Sequence, residues 1–154
     1  MGNLFSLLTT FNGRINRAKW WLGLVLLGVA NVLGGMLLNP EFFTAEEPPP
    51  PSWPDTVWQI ALLYPLTAIT VKRFKDADRP AWLGYWFAPF GVALYLGPHI
   101  RQLSGPLEPA TLAAFAVPLF VYFLFAFIDN GFVSGTEGPN RYGPDPLARS
   151  VVAA

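Results

Sequence analysis

Four apolar runs, nearly free of charge, alternate with short polar segments along this chain, a pattern typical of membrane-spanning helices. The clearest is WWLGLVLLGVANVLGGMLL, nineteen residues that form about 28 Å of helix at 1.5 Å per residue. The second run is long enough only when Trp53 extends it into one interface and Lys72 snorkels at the other. The pattern predicts an all-α integral membrane protein, a four-helix transmembrane bundle. Its spans are residues 20–38, 53–71, 82–98 and 110–128.

The flanking segments complete a single membrane domain over residues 1–154. Apolar residues at helical spacing before Gly13 predict an N-terminal interfacial amphipathic helix, and Asn16 is suited to cap the first span. Prolines 48–51, followed by Pro54, predict an extended polyproline II spacer after the first span. The Gly- and Pro-rich tail, residues 129–154, predicts either a structured turn segment or a disordered tail.

Charge is distributed unequally between the two ends of the predicted bundle. Nine of the ten Lys and Arg residues precede the first span, fill the connection after the second, or lie in the tail. The connection over residues 39–56 has four acidic residues and no Lys or Arg, and the third connection holds only Arg101. Because cytoplasmic loops retain Lys and Arg, this asymmetry predicts that both termini and the tail are cytoplasmic.

Composition supports a membrane protein and excludes several classes of function. The chain is 53% hydrophobic and 13% charged, against about 25% charged in a usual soluble domain. A soluble helical bundle is therefore disfavoured, and the net charge of zero gives no electrostatic footprint for nucleic acid. The absence of cysteine and the single histidine, His99, remove thiol and most metal chemistry. Since no enzyme motif occurs, we predict no enzymatic activity and no cofactor, and we expect His99 to be an interfacial residue.

The predicted cytoplasmic face concentrates charged side chains from three segments. If the second span continues as a helix, Asp76 lies four residues after Lys72 and three after Arg73, within ion-pair reach. Arg14, Arg17 and Arg141 should reach the same face. Such a cluster can bind a phosphate-bearing headgroup or a small anion, or it can be a lattice of salt bridges that locks the loops. The lattice is the favoured interpretation.

Three segments together resemble a known family. FNGRINRAKWW at residues 11–21 is similar to the family's N-terminal motif G-R-I-S-R-x-x-[YF]-W. VKRFKDADRPAW at 71–82 is similar to its loop motif R-R-L-H-D-x-x-x-S-G-W, and GPNRYGPDP at 138–146 to its C-terminal motif N-x-[YF]-G-x-D-P. On these segments the chain resembles the bacterial domain-of-unknown-function 805 family of small inner-membrane proteins. Lys75 stands where the family usually has histidine, and Pro80-Ala81 replaces Ser-Gly.

The resemblance implies a multi-span protein of the bacterial inner membrane, with cytoplasmic motifs and no established reaction. The positions that match are Gly13, Arg14, Arg17, Trp20, Arg73, Asp76, Trp82, Asn140, Tyr142, Gly143, Asp145 and Pro146. Combined with the charge cluster, they give a candidate cytoplasmic site. It consists of Arg14, Arg17, Arg73, Asp76, Asn140, Arg141 and Asp145.

Three functions are compatible with these features. The first is a non-enzymatic accessory or scaffold protein whose Arg/Asp-rich face binds anionic lipid or a larger membrane complex, so that its partners are membrane lipids and other membrane-protein subunits. The alternative is a small oligomeric transporter or channel, since prolines near the middle of three spans can break helices along a substrate path. A lipid-modifying enzyme that uses Asp76, Asp78 and Asp145 is the weakest of the three.

Overall fold

The computed structural model describes residues 4–47, 49, 51–105 and 108–148, and its regular secondary structure over these residues is helical. Five helices have six or more residues, and two further segments are single helical turns. Their bounds are α1 Leu4–Thr9, α2 Arg17–Leu38, α3 Glu41–Thr44, α4 Trp53–Asp76, α5 Trp82–Tyr85, α6 Phe87–Ser104 and α7 Pro109–Gly131. The predicted all-α class is confirmed.

The helices α2, α4 and α7 include the first, second and fourth predicted spans and extend beyond them. α2 begins three residues early at Arg17, and the side chain of Asn16 accepts from Lys19 N at 3.0 Å, so the predicted cap is confirmed. The third span is not one continuous helix: α5 ends at Tyr85 and α6 begins at Phe87, and Pro89 in the first turn of α6 has no N–H to donate to the Tyr85 carbonyl. α6 then continues past Pro98 to Ser104, beyond the predicted end of that span.

The connection between α2 and α4 differs in part from the predicted spacer. Pro48 and Pro50 lie outside the described residues. Pro54, however, belongs to the first turn of α4, where a missing N–H leaves no helical hydrogen bond unmade, so its assignment to the spacer is wrong. In the tail, Arg149 and residues 150–154 also lie outside the described residues.

α4 is the central helix, with α1, α2, α5, α6 and α7 packed against it. Half of its 24 residues are buried, including Ile69 and Phe74. The close approach of α5 depends on glycine, since a Cβ placed on Gly84 would lie 2.7 Å from Val71 Cα. The small residue Gly84 therefore allows α5 to pack closely against the C-terminal half of α4.

Among the described residues, two helices, α2 and α7, are long and apolar enough to cross a membrane. Only 22% of the apolar stretch of α2 and 6% of that of α7 is buried within the protein. Large apolar side chains, among them Phe120 at 67% exposure, therefore project outward from α7. Such a continuous apolar surface indicates association with a membrane.

Candidate functional site

The centre of the candidate site is an ion-paired cluster at the end of α4. Asp76 accepts a hydrogen bond from Arg73 NH1 at 2.8 Å through Oδ2 and from Arg14 Nε at 3.1 Å through Oδ1. The side chains are almost fully buried, with exposures of 0% for Arg73, 1% for Arg14 and 5% for Asp76. The predicted pairing of Asp76 is therefore confirmed, and it involves two arginines at once.

Both guanidinium groups also donate to backbone carbonyls in the segment around the end of α7 and beyond. Arg14 NH1 reaches Gly138 O at 2.8 Å, and its NH2 reaches Thr136 O at 2.6 Å. Arg73 Nε donates to Asn130 O at 2.8 Å. Because these donors are used inside the protein, the two arginines hold the tail against α4 and are not free to bind a ligand.

The end of α4 and the tail are joined by further hydrogen bonds. The backbone carbonyl of Asp76 accepts from Thr136 N at 2.8 Å and from Thr136 Oγ1 at 3.0 Å. Asn140 Nδ2 donates to Lys75 O at 2.9 Å. At Gly135, a Cβ would lie 2.1 Å from Asp76 Oδ2, so a larger residue there would displace the carboxylate. Of the two interpretations of the tail, a structured turn segment is confirmed as far as residue 148.

Asp145 organises the turn itself rather than the ion-paired cluster. Its two carboxylate oxygens accept from Gly138 N at 3.0 Å and from Leu147 N at 2.8 Å. These backbone N–H groups, the Leu147 amide first, hold the pKa of Asp145 below its usual value. The carboxylate has a structural partner at each oxygen, which explains its position in the turn without a ligand.

Arg17 and Arg141 lie at the exposed rim of the candidate site. Arg17 NH1 donates to Phe132 O at 3.0 Å, and Arg141 Nε pairs with the exposed Asp78 at 3.0 Å. Arg141 also covers the ring of Tyr142, with 4.9 Å between Cζ and the ring centroid. The seven predicted residues thus divide into a buried cluster, a turn and an exposed rim.

A polar cavity of about 180 Å³ lies beside the buried cluster, between α1 and the start of α2. Lys72 was expected to lie within reach of Asp76, but its Nζ donates to Ser6 O at 3.0 Å and to Leu7 O at 2.5 Å, at the end of α1. Burial, with a contribution from Lys75, lowers the pKa of Lys72 to about 8. The residues that line the cavity are Ser6, Leu7, Thr10, Asn12, Arg14, Ile15, Lys19 and Lys72.

This cavity was not predicted from the sequence, although one signal points to it. Arg14, Lys19 and Lys72 contribute three cationic side chains, and carboxylates are missing from its lining among the described residues. The sequence shows an excess of cations in both segments, at residues 14–19 and 72–75. What the sequence does not show is that α1 folds back across the end of α4 and brings the two groups together.

A second polar cluster, at the other end of α4, was also not predicted from the sequence. His99 Nε2 and Thr56 Oγ1 lie 2.7 Å apart in a hydrogen bond, and Trp53 stacks on the imidazole with 4.1 Å between centroids. Asp55 accepts from Gln59 Nε2 at 2.7 Å. His99 is buried between α4 and α6, where it joins the ends of these helices. Among the described residues, no three His, Asp or Glu side chains are grouped to hold a metal ion.

Comparison with known proteins gives one match. A family model described as "Protein of unknown function (DUF805)" matches residues 8–144, most of the chain. The chain belongs to the DUF805 family. No curated protein and no solved structure matches it. In this DUF805 protein, Arg14 joins the three segments that carry the resemblance, since it pairs with Asp76 and also donates to the carbonyl of Gly138.

Proposed function

We propose that this DUF805 protein is a non-enzymatic, four-span accessory or scaffold protein of the bacterial inner membrane whose cytoplasmic face binds the headgroup of an anionic lipid. The observation that carries the proposal is the cationic cavity between α1 and α2, whose lining includes Lys19 and Lys72. Arg14 also lines the cavity, but its donors are used inside the protein. A phosphate group supplies both the negative charge and the acceptor oxygens that the two lysines favour.

α1 is placed to bring the cavity to a lipid surface. Its residue Leu7 is buried against the protein, whereas Leu4 and Phe5 are exposed on the other side. Lys72 bonds two carbonyls of α1, and Lys75 Nζ donates to Phe11 O at 2.7 Å just after it. An amphipathic segment held in this way inserts its exposed apolar side chains between lipids and leaves the cationic cavity at headgroup level.

The four-span arrangement rests on helix length and on what surrounds α4. α4 and α6 have 24 and 18 residues, which correspond to about 36 and 27 Å, close to the thickness of a bilayer core. α2 and α7 supply the apolar surface that faces lipid. Because α4 is packed among the other helices, it needs less apolar surface of its own. The excess of Lys and Arg at the end of α4 and the start of α2 orients both termini toward the cytoplasm.

Single cysteines test this orientation, because the chain has none of its own. We expect Leu103→Cys, at the exposed end of α6, to react with a membrane-impermeant maleimide in intact cells. Ser134→Cys, exposed in the tail, should react only after permeabilisation. The reverse labelling pattern would contradict the proposed orientation, and labelling of both sites from outside would contradict the four-span arrangement.

Lipid binding is tested with the purified full-length protein in mild detergent. Added phosphatidylglycerol should raise the melting temperature more than the same amount of phosphatidylcholine. Lys19→Gln should weaken phosphatidylglycerol binding about fivefold, from the roughly 1 kcal/mol of one basic residue near an anionic surface. Arg101→Gln is the matched control, because it removes an exposed cation in the last turn of α6, far from the cavity. It should leave the binding unchanged. Equal effects of the two lipids, or of the two variants, would contradict the proposal.

The accessory role has its own test. A stoichiometric larger complex recovered with the protein after solubilisation in mild detergent would support it. Flux of a solute through liposomes that contain only the purified protein would instead support the transporter alternative. The two measurements are independent of lipid binding, so the scaffold role can fail while the lipid site stands.

A further inference from the structure

Helix α2 carries one amide side chain, Asn31, close to the middle of its apolar run. Residues 20–38 contain no charged residue, and Asn31 lies two positions after the midpoint of this run, about 3 Å along the helix. Its side chain is exposed, and its amide makes no hydrogen bond with any residue that the structure describes. Exposed side chains next to it, such as Val32 and Leu33, are apolar. Asn31 therefore interrupts a surface that is otherwise suited to lipid.

In the membrane arrangement proposed above, on which this inference rests, an exposed amide at this depth has no water to bond. The Asn31 side chain offers two N–H donors and an acceptor oxygen. A polar group without a partner is costly in hydrocarbon, so amide side chains on membrane helices bond to a neighbouring helix. Since no described residue bonds to the Asn31 amide, its partner is expected on a helix of another molecule.

The surface of α2 around Asn31 is open to such a helix. Gly28 and Gly35 lie three positions before and four after Asn31, which places the three residues on one face of α2, here called the amide face. Gly28 is exposed, and a Cβ placed on it would meet nothing within 4 Å. Gly34, on another side of α2, is instead covered by the indole of Trp58. Small residues allow a second helix to approach closely, and at Gly28 that space is unused.

A second copy of this chain supplies the matching group by symmetry. Copies that insert in the same orientation place Asn31 at the same depth, so a twofold axis along the membrane normal brings the two side chains together. An amide both donates and accepts, so two copies of it complete each other's hydrogen bonds. A different protein would need a polar side chain at this same depth, whereas a second copy has one in every case.

We propose that α2 is the contact between two copies of this chain in the membrane, with the amide faces of the two helices packed together. Nδ2 of each Asn31 donates to Oδ1 of the partner's Asn31, so that both amides gain a donor and an acceptor. Gly28 and Gly35 allow the two backbones to come close enough for these short side chains to meet.

Energy transfer between labelled copies tests this contact in the purified full-length protein, in mild detergent. Ser134→Cys carries a donor dye in one sample and an acceptor dye in another, on a chain that has no other cysteine. We expect energy transfer after mixing, and an excess of unlabelled wild-type protein should abolish it. Absence of energy transfer, while Leu103→Cys still reacts from outside in intact cells, would overturn the dimer and leave the membrane arrangement and the lipid site standing. Energy transfer in a protein that does not bind phosphatidylglycerol would support the dimer and contradict only the lipid site.

Three substitutions by leucine on α2 distinguish the amide face from the rest of the helix. Unlabelled Asn31→Leu should compete about tenfold less well than wild type, the change expected from two hydrogen bonds between membrane helices. Gly28→Leu, which places a large side chain on the amide face, should compete at least as poorly. Val29→Leu changes an exposed residue that points away from Asn31, and it should compete like wild type. Equal competition by Asn31→Leu and Val29→Leu, or full competition by Gly28→Leu, would overturn the proposal.

Discussion

Helices α4 and α7 are nearly equal in length, 24 and 23 residues, but their side chains have opposite environments. α4 contains five charged residues, Asp55, Lys72, Arg73, Lys75 and Asp76, and half of the helix is buried. α7 has no charged residue before Asp129, yet only 6% of its apolar stretch is buried. In a soluble protein the more apolar helix is the one expected inside.

The contrast follows from the cost of placing polar groups in an apolar environment. In a bilayer, apolar side chains lose nothing by facing outward, whereas charged side chains require partners inside the protein or at its ends. The charged side chains at the end of α4 have hydrogen-bond partners in α1 and around the tail, whereas the apolar side chains of α7 are exposed on the surface of the protein. Mean hydropathy consequently singles out α7 and α2, whose apolar side chains are exposed, and not α4, around which the protein is built.

The largest effect is expected at the buried end of α4. Asp76→Asn leaves the guanidinium groups of Arg14 and Arg73 buried with their excess charge, and we expect it to destabilise the protein by about 3–5 kcal/mol. Asp78→Asn is the matched control, because Asp78 is exposed and pairs only with the exposed Arg141 at 3.0 Å. It should cost no more than about 1 kcal/mol. Unfolding in detergent, followed by circular dichroism, measures both, and equally small losses would show that the cluster is not structural.

The same substitution in the two helices compares their packing directly. Phe74→Ala on α4 removes a fully buried ring that stacks on Phe125, and it should cost about 3–5 kcal/mol through the cavity it leaves. Phe120→Ala on α7 removes a ring that is exposed, and it should cost less than about 0.5 kcal/mol. Thermal unfolding of the two variants in one detergent checks the contrast. Comparable losses would mean that α7 packs against something that detergent does not replace.

A charge on α7 tests whether its exposed surface faces lipid. Phe120→Arg places a guanidinium near the middle of the helix, where membrane insertion is expected to become less favourable by about 2.5–3.5 kcal/mol. The fraction of the protein recovered in the membrane, with α7 inserted, should fall relative to Phe120→Leu. If α7 faced water instead, the arginine would be tolerated and recovery would not change.

The smallest effect is expected in the pH dependence of stability to which Lys72 of α4 contributes in alkaline solution. Burial lowers the pKa of Lys72 to about 8 in the folded protein, against 10.5 for an unperturbed lysine. Between these values the unfolded chain holds a proton that the folded protein has released, so stability rises with pH across this window. The two carbonyl partners of Nζ favour its charged form and offset part of the effect. Lys72→Met should flatten the rise in melting temperature between pH 8 and 10; an unchanged slope would exclude Lys72 as its source.

Local features of the amino-acid sequence were enough to predict the helices, the cap of α2, the family and one ion pair. The apolar runs located the helices, Asn16 capped α2 as expected, and three short motifs identified the family. The pairing of Asp76 with Arg73 was also predictable, because residues three apart share one face of a helix. Each of these features depends on residues that lie close together in the sequence.

Only the tertiary structure decided which side chains across the chain became partners. Arg14 and Asp76 are 62 positions apart, and Thr56 and His99 are 43 apart, so neither pair follows from a local pattern. The same holds for Lys72, which was expected near Asp76 but donates to a carbonyl of α1. It also holds for an apolar cavity whose lining includes Trp20, Thr70 and Asn130. Hydropathy and helical spacing describe each segment by itself, whereas a buried polar atom finds or lacks its partner only when the helices have packed.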